Sequence, residues 1–560
     1  MNVNLNLNYS SLAVNKPIFS HTPIFITRPL QADYVSFKGD LKKHKINVSP
    51  EIAQEVSHSL HTSTAGHRAE FGSEVFNKDV VELITLGAAK YVKENKKSSE
   101  KPVVLVGGDT REATRKSIPL IEKILCEQGI DVMLIDKPIP TPIISLIAEN
   151  NDIDLAVLLT ASHNPWNDGG YNFITADGAI APANVTGAIG DNVVEIAQSK
   201  EYVTRVEEKG KSTKINPYED YKNAINRLGI INWDKIKDLN IKIYYDSLQG
   251  AGGNVVPKLL NDYGINFTLV NSKGQKGPHP TKENLKKLTE IVENEPKELK
   301  VGFSNDGDAD RLGVIDENGN YIHPNDILML VACHLVKNKG IKGDIVRSQA
   351  TSSSVDCIAE KYGLNVIQTP VGFKFLGKEI LRGKKEGNEV LVAGEESGGL
   401  TIHGHVAEKD GILGILAILD LMAEEGKPIG QILSDYRKDF HKDIQYKQFS
   451  VRLKDNSKKE IIMKRAEALY NNMLNGETDF HGFEIDSART QENMRIMKSY
   501  KPEGDGFKFY FTDGSSIIIR KSGTEPLVRG YAEAYGTNEQ DTKEKLEKLL
   551  QCLNEMFALD

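Results

Sequence analysis

Four polar loops carry the residues of this 560-residue chain whose types and spacing suit chemistry. The first loop, TASHNP (Thr160–Pro165), follows the apolar run LAVLLT and has Ser162 at its centre. A serine that is exposed at a strand-to-loop corner and flanked by proton acceptors is placed as a covalent nucleophile requires. The alternative for this loop alone is a turn whose serine caps a helix. Its role therefore depends on the other three loops.

The second loop, DGDADR (Asp306–Arg311), supplies carboxylates at alternating positions, from Asp306, Asp308 and Asp310. Such a set forms a hard-oxygen site for a divalent cation. Its rival is an EF-hand calcium loop, which requires glycine where Arg311 stands and a helix on each side. Here the strand-like run VGFSN precedes the loop, and a hairpin turning at Asn318-Gly319 follows it. The pattern therefore favours magnesium, with coordination left open for a phosphate oxygen.

The third loop, GEESGG (Gly394–Gly399), places carboxylate and hydroxyl groups between glycines. Glu395 and Ser397 could accept and donate hydrogen bonds to neighbouring sugar hydroxyls. A helix cap is an equally good interpretation of this string in isolation.

The fourth loop, RKSGTEP (Arg520–Pro526), has Arg529 beyond it. Its first residue, Arg520, could grip a phosphate in a bidentate way. Hydroxyls and backbone N–H groups that suit an anion come from Ser522, Gly523 and Thr524. The alternative is a solvated basic turn.

The elements that must position these loops alternate along the chain from Glu51 onward. Short β-rich runs such as VVLVGG, LAVLLT, IKIYYDS, VGFSND and VLVAGEES are separated by amphipathic helices. This alternation predicts βαβ units and mostly parallel sheets, with the polar loops at the carboxyl ends of strands. The run FKFYFTDGSSIIIR instead predicts a hairpin turning at Asp513-Gly514. We therefore expect an α/β protein with three βαβ-type domains and a smaller C-terminal α+β domain.

Charged or glycine-rich stretches provide the predicted domain boundaries. They give an N-terminal extension over residues 1–50 and four domains over 51–205, 206–335, 336–445 and 446–560, each containing one of the four loops. The extension is rich in asparagine and lacks the apolar region of a secretory signal. We expect it to be disordered, and an organelle-targeting segment is the alternative.

Composition excludes several classes of partner. The formal net charge of -8 disfavours nucleic acid and anionic lipid as bulk partners. Apolar runs fall short of the roughly 20 residues that span a bilayer, so no membrane association is expected. The four cysteines lie far apart and form no C-x-x-C pair, which indicates a reducing, cytoplasmic setting.

Taken together and in this order, the four loops resemble those of the α-D-phosphohexomutase family, the phosphoglucomutases and phosphomannomutases. The resemblance runs from about His61 to Tyr535. Shorter runs support the resemblance: STAGHRA, GGDTR, PTP, QGAGG, HPTKENL, TPVGFK from Thr369 to Lys374, and EKDG with Lys409. The run STAGHRA is similar to the family's N-terminal phosphate-contacting loop, which makes Arg68 a candidate.

The resemblance implies an enzyme that moves phosphate between O1 and O6 of a hexose through a phosphoserine at Ser162. It also implies Mg²⁺ held by the three aspartates and phosphorylated Ser162, with hexose 1,6-bisphosphate as intermediate and activator. His163 and Arg68 would assist catalysis. The implied substrate-binding residues are Arg311, Thr369, Lys374, Glu395, Ser397, Lys409, Arg520, Ser522, Gly523, Thr524 and Arg529. The partner would be a small hexose phosphate, bound by a monomer or homodimer.

Two positions depart from the family pattern. Asn172 stands where most members have a lysine, which leaves His163 and Lys409 as candidates for proton transfer. The absence of this lysine also leaves open a second class of function, that of a sugar-phosphate-binding protein with weak catalysis. A third class is a phosphatase, whose phosphoserine is simply hydrolysed. Gly399 stands where mannose-active bacterial relatives usually have histidine. With the EKDG run it favours glucose phosphate, with mannose phosphate and then glucosamine phosphate as alternatives.

Overall fold

The computed structural model describes residues 43–63, 66–96, 101–203, 208–440, 443–453, 456–521 and 527–558. Most of the predicted extension, residues 1–42, lies outside the described residues. So do Ser522, Gly523 and Thr524 of the fourth loop.

The first domain is a six-stranded mixed sheet covered by helices. Its strands are β1 (Lys43–Lys45), β2 (His67–Glu70), β3 (Val103–Gly108), β4 (Asp131–Leu134), β5 (Leu155–Leu159), β6 (Asp168–Thr175), β7 (Glu201–Val203) and β8 (Ser212–Lys214). Its helices are α1 (Pro50–Thr62), α2 (Lys78–Asn95), α3 (Glu112–Glu127), α4 (Thr141–Asn150) and α5 (Ala183–Ser199). The sheet order is β2-β6-β5-β3-β4-β8, with β5, β3, β4 and β8 parallel, while β1 and β7 pair separately.

The second domain has a five-stranded sheet. Its elements are α6 (Tyr218–Arg227), α7 (Trp233–Asp238), β9 (Lys242–Asp246), α8 (Val256–Asp262), β10 (Phe267–Leu269), α9 (Lys286–Asn294), β11 (Lys300–Asn305), β12 (Leu312–Ile315) and β13 (Tyr321–Ile322). The order is β10-β9-β11-β12-β13, and the first three strands are parallel. The hairpin predicted after the aspartate loop is confirmed, because β12 and β13 pair antiparallel.

The third domain repeats this design with four strands. Its elements are α10 (Pro324–Lys337), β14 (Asp344–Ser348), α11 (Asp356–Tyr362), β15 (Val366–Thr369), α12 (Phe373–Glu386), β16 (Val390–Gly394), β17 (Leu400–Ile402), α13 (Gly411–Glu425) and α14 (Ile429–Asp439). The order is β15-β14-β16-β17, with only β17 antiparallel to its neighbour.

The fourth domain is smaller and antiparallel. Its elements are β18 (Asp443–Arg452), α15 (Asn456–Leu474), β19 (Asp479–Phe480), β20 (Phe483–Glu484), α16 (Ser487–Tyr500), β21 (Phe507–Tyr510), β22 (Ser516–Lys521), β23 (Leu527–Gly536) and α17 (Glu539–Phe557). The sheet order is β18-β23-β22-β21. The predicted α/β architecture with a C-terminal α+β domain is therefore confirmed.

The predicted domain boundaries differ from these elements. The boundary after residue 50 cuts α1, and Ile46 and Val48 already pack into the first core. The boundary after residue 205 leaves β8 out of the first sheet, that after 335 cuts α10, and that after 445 cuts β18. Charged residues were a poor guide because they lie at helix ends and on exposed strands as well as in linkers.

Apolar patterning explains the elements that carry the loops. All five residues of β5 are buried, because the strand lies between β3 and β6 inside the sheet. Helix α13 is almost wholly buried and begins where the Asp410 side chain accepts hydrogen bonds from two backbone N–H groups. One continuous core joins part of the first domain with the second and third domains, and the fourth has its own. Among the described residues, no helix is both long and apolar enough to cross a membrane.

Candidate active site

Ser162 lies in the turn that follows β5, and it is almost completely buried, whereas the sequence predicted an exposed serine at this corner. Its backbone φ is 49°, a left-handed conformation that a non-glycine residue adopts only when its surroundings enforce it. The backbone N–H donates to Thr160 Oγ1 at 2.8 Å. The hydroxyl donates to Asp306 Oδ2 at 2.8 Å. The predicted nucleophile of the first domain therefore touches the predicted cation loop of the second.

A buried ion pair supports the serine turn from below. Arg111 Nε lies 3.0 Å from Asp109 Oδ2, and both side chains are inaccessible to solvent. The guanidinium of Arg111 donates to four backbone carbonyls of the turn, those of Ser162 at 2.6 Å, Asn164 at 2.8 Å, Asp168 at 3.2 Å, and Pro165. Planar guanidinium groups suit such multiple contacts, so the path of the turn is fixed by this side chain.

The aspartate cluster, defined here as Asp306, Asp308 and Asp310, follows β11. One carboxylate oxygen from each residue lies within 4.8 Å of the others. Among the described residues, Asp308 Oδ1 and Asp310 Oδ1 are buried without a hydrogen-bond partner. Buried unsatisfied oxygens are costly unless a cation or water completes them, and hard carboxylate oxygens are the donors that Mg²⁺ prefers. The residues present therefore fit a magnesium site.

Mutual repulsion within the aspartate cluster also favours a cation. Burial and the carboxylates of Asp310 and Asp308 raise the pKa of Asp306 well above its ordinary value. Burial and Asp310 likewise raise the pKa of Asp308 to about 6. Burial also disfavours the charge of Asp310, but Lys409 and Arg311 outweigh it and lower the pKa of that residue. A divalent cation would keep all three residues ionised.

Two further cations face the aspartate cluster. Arg311 Nε lies 3.7 Å from Asp310 Oδ1 and 3.9 Å from Asp306 Oδ2. Lys409 Nζ lies 3.1 Å from Asp310 Oδ2 and contacts Glu408 Oε1. Lys409, predicted as a sugar contact, is thus paired with carboxylates on both sides in this structure.

Arg68 occupies β2, opposite Gly170 of β6. Burial lowers the pKa of Arg68, and the nearby charges of Asp308 and Asp310 oppose that shift. The structure therefore brings this predicted residue of the first domain toward the aspartate cluster.

His163 Nδ1 lies 3.4 Å from Ser162 Oγ. Its ring centroid is 4.7 Å from that of His279. Burial and nearby cations, Arg311 foremost, lower the pKa of His163 well below its ordinary value. Burial and Arg311 lower the pKa of His279 to about 4. Both imidazoles are therefore neutral near pH 7, and His163 is able to accept a proton.

Asn172 is buried in β6. Its Nδ2 donates to the carbonyl of Thr160 at 2.8 Å and to that of Leu158 at 3.3 Å. This side chain is therefore a backbone brace, and it carries no charge to the serine turn.

The residues predicted to hold a sugar come from loops of the third domain. Glu395 Oε1 accepts a hydrogen bond from the backbone N–H of Gly372 at 2.9 Å. Burial and Glu396 raise the pKa of Glu395 to about 7. Ser397 is partly exposed two residues further on, and Thr369 is buried at the end of β15. The backbone bridge between Gly399 and Arg311 joins the loop of Glu395 and Ser397 to the aspartate loop of the second domain.

Lys374 of the third domain contacts the first domain. Its Nζ donates to the carbonyl of Ser63 at 3.3 Å. Burial and the charge of Lys501 lower the pKa of Lys374. A cation at this position is suited to an anionic group of a ligand.

The fourth domain contributes Arg520, at the end of β22. Its Nε donates to Asp505 Oδ1 at 3.2 Å. Asp505 Oδ2 accepts from the backbone N–H of Val371 at 2.8 Å and from Gln349 Nε2 at 3.0 Å. Asp505 thus ties the predicted phosphate-binding arginine to the third domain. Arg529 of β23 lies opposite Arg520 of β22 in the register of the two antiparallel strands.

Sequence reasoning missed four supporting residues: Asp109, Arg111, Thr141 and Asp505. The first three lie in the runs GGDTR and PTP, and the position of GGDTR after β3, beside β5, was an available signal. Asp505 follows a helix and precedes β21, and its sequence context gave no indication of a contact with another domain.

Family models match all four domains. The phosphoglucomutase/phosphomannomutase alpha/beta/alpha domains I, II and III match residues 60–200, 219–319 and 323–440. The C-terminal domain model of the same family matches residues 451–548.

Individual proteins of the same family are similar to this chain in sequence or in structure. A phosphoglucomutase/phosphomannomutase of Thermococcus kodakarensis is 30% identical over 465 residues, which cover 81% of this chain and 91% of that protein. A probable phosphoglucosamine mutase of Methanosphaera stadtmanae is 27% identical over 495 residues, covering 86% and 96%. The open-form crystal structure of the phosphoglucomutase parafusin from Paramecium shares the fold, with a TM-score of 0.72, 22% identity, and coverage of 92% of this chain and 96% of that one. The chain therefore belongs to the phosphoglucomutase/phosphomannomutase family of phosphotransferase mutases.

Proposed function

We propose that this protein interconverts hexose 1-phosphate and hexose 6-phosphate through a phosphoserine at Ser162 and a hexose 1,6-bisphosphate. The observation that carries the proposal is the 2.8 Å hydrogen bond from Ser162 Oγ to Asp306 Oδ2. It joins a nucleophile in a constrained turn to a buried carboxylate set, each from a different domain. The negatively charged phosphate of phosphorylated Ser162 would lie beside the aspartate cluster.

The transfer has two halves. The O6 hydroxyl of a hexose 1-phosphate attacks the phosphorus of phosphorylated Ser162 and loses its proton, and the bond from phosphorus to Ser162 Oγ breaks. The bisphosphate then reverses its orientation in the site. Ser162 Oγ takes the phosphoryl group from O1, and a hexose 6-phosphate leaves. Hexose 1,6-bisphosphate would also restore the phosphoenzyme, which makes it an activator.

The metal and the proton carriers have separate tasks. Mg²⁺ held by the aspartate cluster and phosphorylated Ser162 would supply charge that neutralises phosphoryl oxygens. His163, neutral and 3.4 Å from Ser162 Oγ, is the first candidate for holding the transferred proton. Lys409, the other candidate from the sequence, is suited only to donating a proton: burial lowers its pKa, but Asp310 and Glu408 outweigh burial and raise the pKa, so the group keeps its own proton. Arg68 would neutralise the phosphoserine.

The remaining predicted residues would bind substrate from both ends. Glu395 and Ser397 would hold sugar hydroxyls, and Arg311, Thr369 and Lys409 would contact the same substrate. The non-reacting phosphate would be bound in either orientation by Lys374, Arg520, Ser522, Gly523, Thr524 and Arg529. The burial of Glu395 beside Lys409 supports the first assignment, because a buried carboxyl group needs hydrogen-bonding partners.

Glucose phosphate is our proposed preferred substrate, on the basis of Gly399 and the EKDG run. Relatives carry the names phosphoglucomutase, phosphomannomutase and phosphoglucosamine mutase, so mannose phosphate and glucosamine phosphate are the alternatives to compare. We further propose that the protein serves carbohydrate metabolism in the cytoplasm, as a monomer or homodimer. Its four cysteines, all within the described residues, are buried free thiols, which fits a reducing compartment.

The test is a set of initial rates with glucose, mannose and glucosamine 1-phosphates, in Mg²⁺ with a trace of the matching bisphosphate. Conversion by the wild type and its loss in Ser162→Ala supports the mutase, and kcat/KM ranks the sugars. Binding without conversion of any sugar would favour the sugar-phosphate-binding protein. Release of inorganic phosphate without isomerisation would identify a phosphatase.

A further inference from the structure

One oxygen of every carboxylate in the aspartate cluster is held by a donor from outside the cluster. Arg311 N donates to Asp306 Oδ1 at 3.1 Å, Thr141 Oγ1 donates to Asp308 Oδ2 at 2.8 Å, and Lys409 Nζ lies 3.1 Å from Asp310 Oδ2. The three donors come from three different parts of the chain: the cluster's own loop, the start of α4, and the loop before α13.

The second oxygen of each carboxylate is not held by any of these three donors. Asp306 Oδ2 accepts from Ser162 Oγ at 2.8 Å. Among the residues described, Asp308 Oδ1 and Asp310 Oδ1 are buried and accept no hydrogen bond. Arg311 Nε approaches Asp310 Oδ1 only to 3.7 Å. Each aspartate therefore offers one oxygen to a cation and keeps the other occupied.

The number of oxygens offered decides which cation is favoured. Mg²⁺ is small, demands a near-ideal arrangement of six ligands, and is commonly bound by single carboxylate oxygens, waters and phosphate. Ca²⁺ accepts six to eight oxygens and readily takes both oxygens of one carboxylate. Hydrogen bonds from neighbouring residues orient metal ligands and fix their mode of binding.

We infer that Thr141 and Lys409 are positioning residues that restrict Asp308 and Asp310 to one metal-binding oxygen each and so make the site select Mg²⁺ over Ca²⁺. The inference rests on the proposed metal site. It goes beyond that proposal because it assigns cation selectivity to residues that are not metal ligands.

Thr141 is the sharper of the two positions. It is the first residue of α4, and its backbone N–H also donates to the carbonyl of Asp308 at 2.9 Å. The main-chain contact survives a side-chain substitution, so the loop stays docked when the hydroxyl is lost. Removal of Lys409 is less clean, because it leaves the buried Glu408 without its cation.

The experiment is calorimetric titration of the full-length protein with Mg²⁺ and with Ca²⁺, in the absence of substrate. Thr141→Val removes the hydroxyl, whereas Thr141→Ser keeps it. Thr85→Val is the matched control, since Thr85 is also buried and its hydroxyl binds Val81 O and Tyr171 rather than a cluster carboxylate. Lys409→Met tests the second position, and thermal unfolding of each variant reports whether it is folded.

We expect Thr141→Val to raise the affinity for Ca²⁺ relative to Mg²⁺ by about tenfold or more. Lys409→Met should shift the ratio in the same direction, while Thr141→Ser and Thr85→Val should leave it at the wild-type value. An unchanged ratio in folded Thr141→Val and Lys409→Met, with Mg²⁺ still bound, would overturn the inference but leave the proposed function intact. A wild type that binds neither cation would overturn the proposed metal site and the inference with it.

Discussion

Nη2 of Arg111 donates a hydrogen bond to the backbone carbonyl of Ser162 at 2.6 Å, from beneath the turn that presents the nucleophile. The same guanidinium is paired with Asp109, and neither side chain reaches solvent. The left-handed backbone of Ser162 is therefore enforced by the turn's supports.

Replacing Arg111 by lysine should lower the rate of phosphoenzyme formation more than it lowers substrate binding. Lysine keeps the charge beside Asp109 but lacks the planar fork that reaches several carbonyls at once. We expect a fall of about tenfold or more in kcat, since a small displacement of a reacting group has effects of this size. Intact-protein mass spectrometry after incubation with glucose 1,6-bisphosphate measures the phosphoenzyme.

Arg382→Lys is the control, because Arg382 lies on α12 of the third domain, is half-exposed, and pairs with Glu379 rather than with a carbonyl of the Ser162 turn. It should form the phosphoenzyme at the wild-type rate. Equal behaviour of the two variants would show that Arg111 does not position Ser162.

Glu395 should make stability depend on pH near neutrality. Burial and Glu396 raise its folded-state pKa to about 7, above the ordinary value of 4.5. The neutral form is thus favoured in the fold, so the stability that this carboxyl group contributes is complete below about pH 4.5 and is lost as pH rises through about 7. A pKa that differs by one between the folded and unfolded states corresponds to about 1.4 kcal/mol of stability.

Denaturant unfolding at pH 5, 6, 7 and 8 measures this dependence. The uncharged Glu395→Gln variant should lack it, so the wild type should lose stability relative to the variant between pH 5 and 8. A constant difference between the two proteins across this range would contradict the raised pKa of Glu395.

Asn172→Lys should change turnover by only a few-fold. The asparagine braces the carbonyls of Thr160 and Leu158, while positive charge near the aspartate cluster comes from Arg68 and Arg311. Steady-state kinetics with glucose 1-phosphate measures the change, and Asn172→Gln controls for loss of the brace. A large rise in kcat with lysine alone would instead show that the asparagine weakens the active site.

Local sequence was sufficient where one element determines a residue's position. Ser162, the aspartate cluster and Glu395 all follow buried strands, and the end of such a strand in a parallel sheet is a place where polar residues meet. The contacts of Arg111, Thr141 and Asp505 depend on how loops and domains approach one another. No periodicity records that approach, so the same runs predicted a family but not these hydrogen bonds.

The predicted domain boundaries differ from the ends of the elements for a related reason. The charged stretch after Lys337 closes α10, a helix that packs into the core shared by the second and third domains, and β8 returns to the first sheet after a charged segment. Only the packing shows that these charges belong to an element's end.

Gly399 should control the position of Lys409. A Cβ added at Gly399 would lie 2.2 Å from Cδ and 2.8 Å from Cγ of Lys409, closer than atoms can approach. Gly399 is also bridged to Arg311, so its backbone has little freedom to retreat. The flexible lysine must therefore move, and Gly399→Ala should displace its Nζ from Asp310 and Glu408. We expect kcat/KM for glucose 1-phosphate to fall by about tenfold, equivalent to about 1.4 kcal/mol.

A double-mutant cycle separates this mechanism from a general disturbance of the loop. In Lys409→Ala the atoms Cγ and Cδ are absent, so adding Gly399→Ala should cost little more than Lys409→Ala alone. Residues in direct contact commonly show interaction energies of about 0.5–3 kcal/mol in such cycles, whereas independent sites are additive. Additive losses in kcat/KM would mean that Gly399 acts by a route other than Lys409, and thermal unfolding of all three variants shows whether the comparison is made between folded proteins.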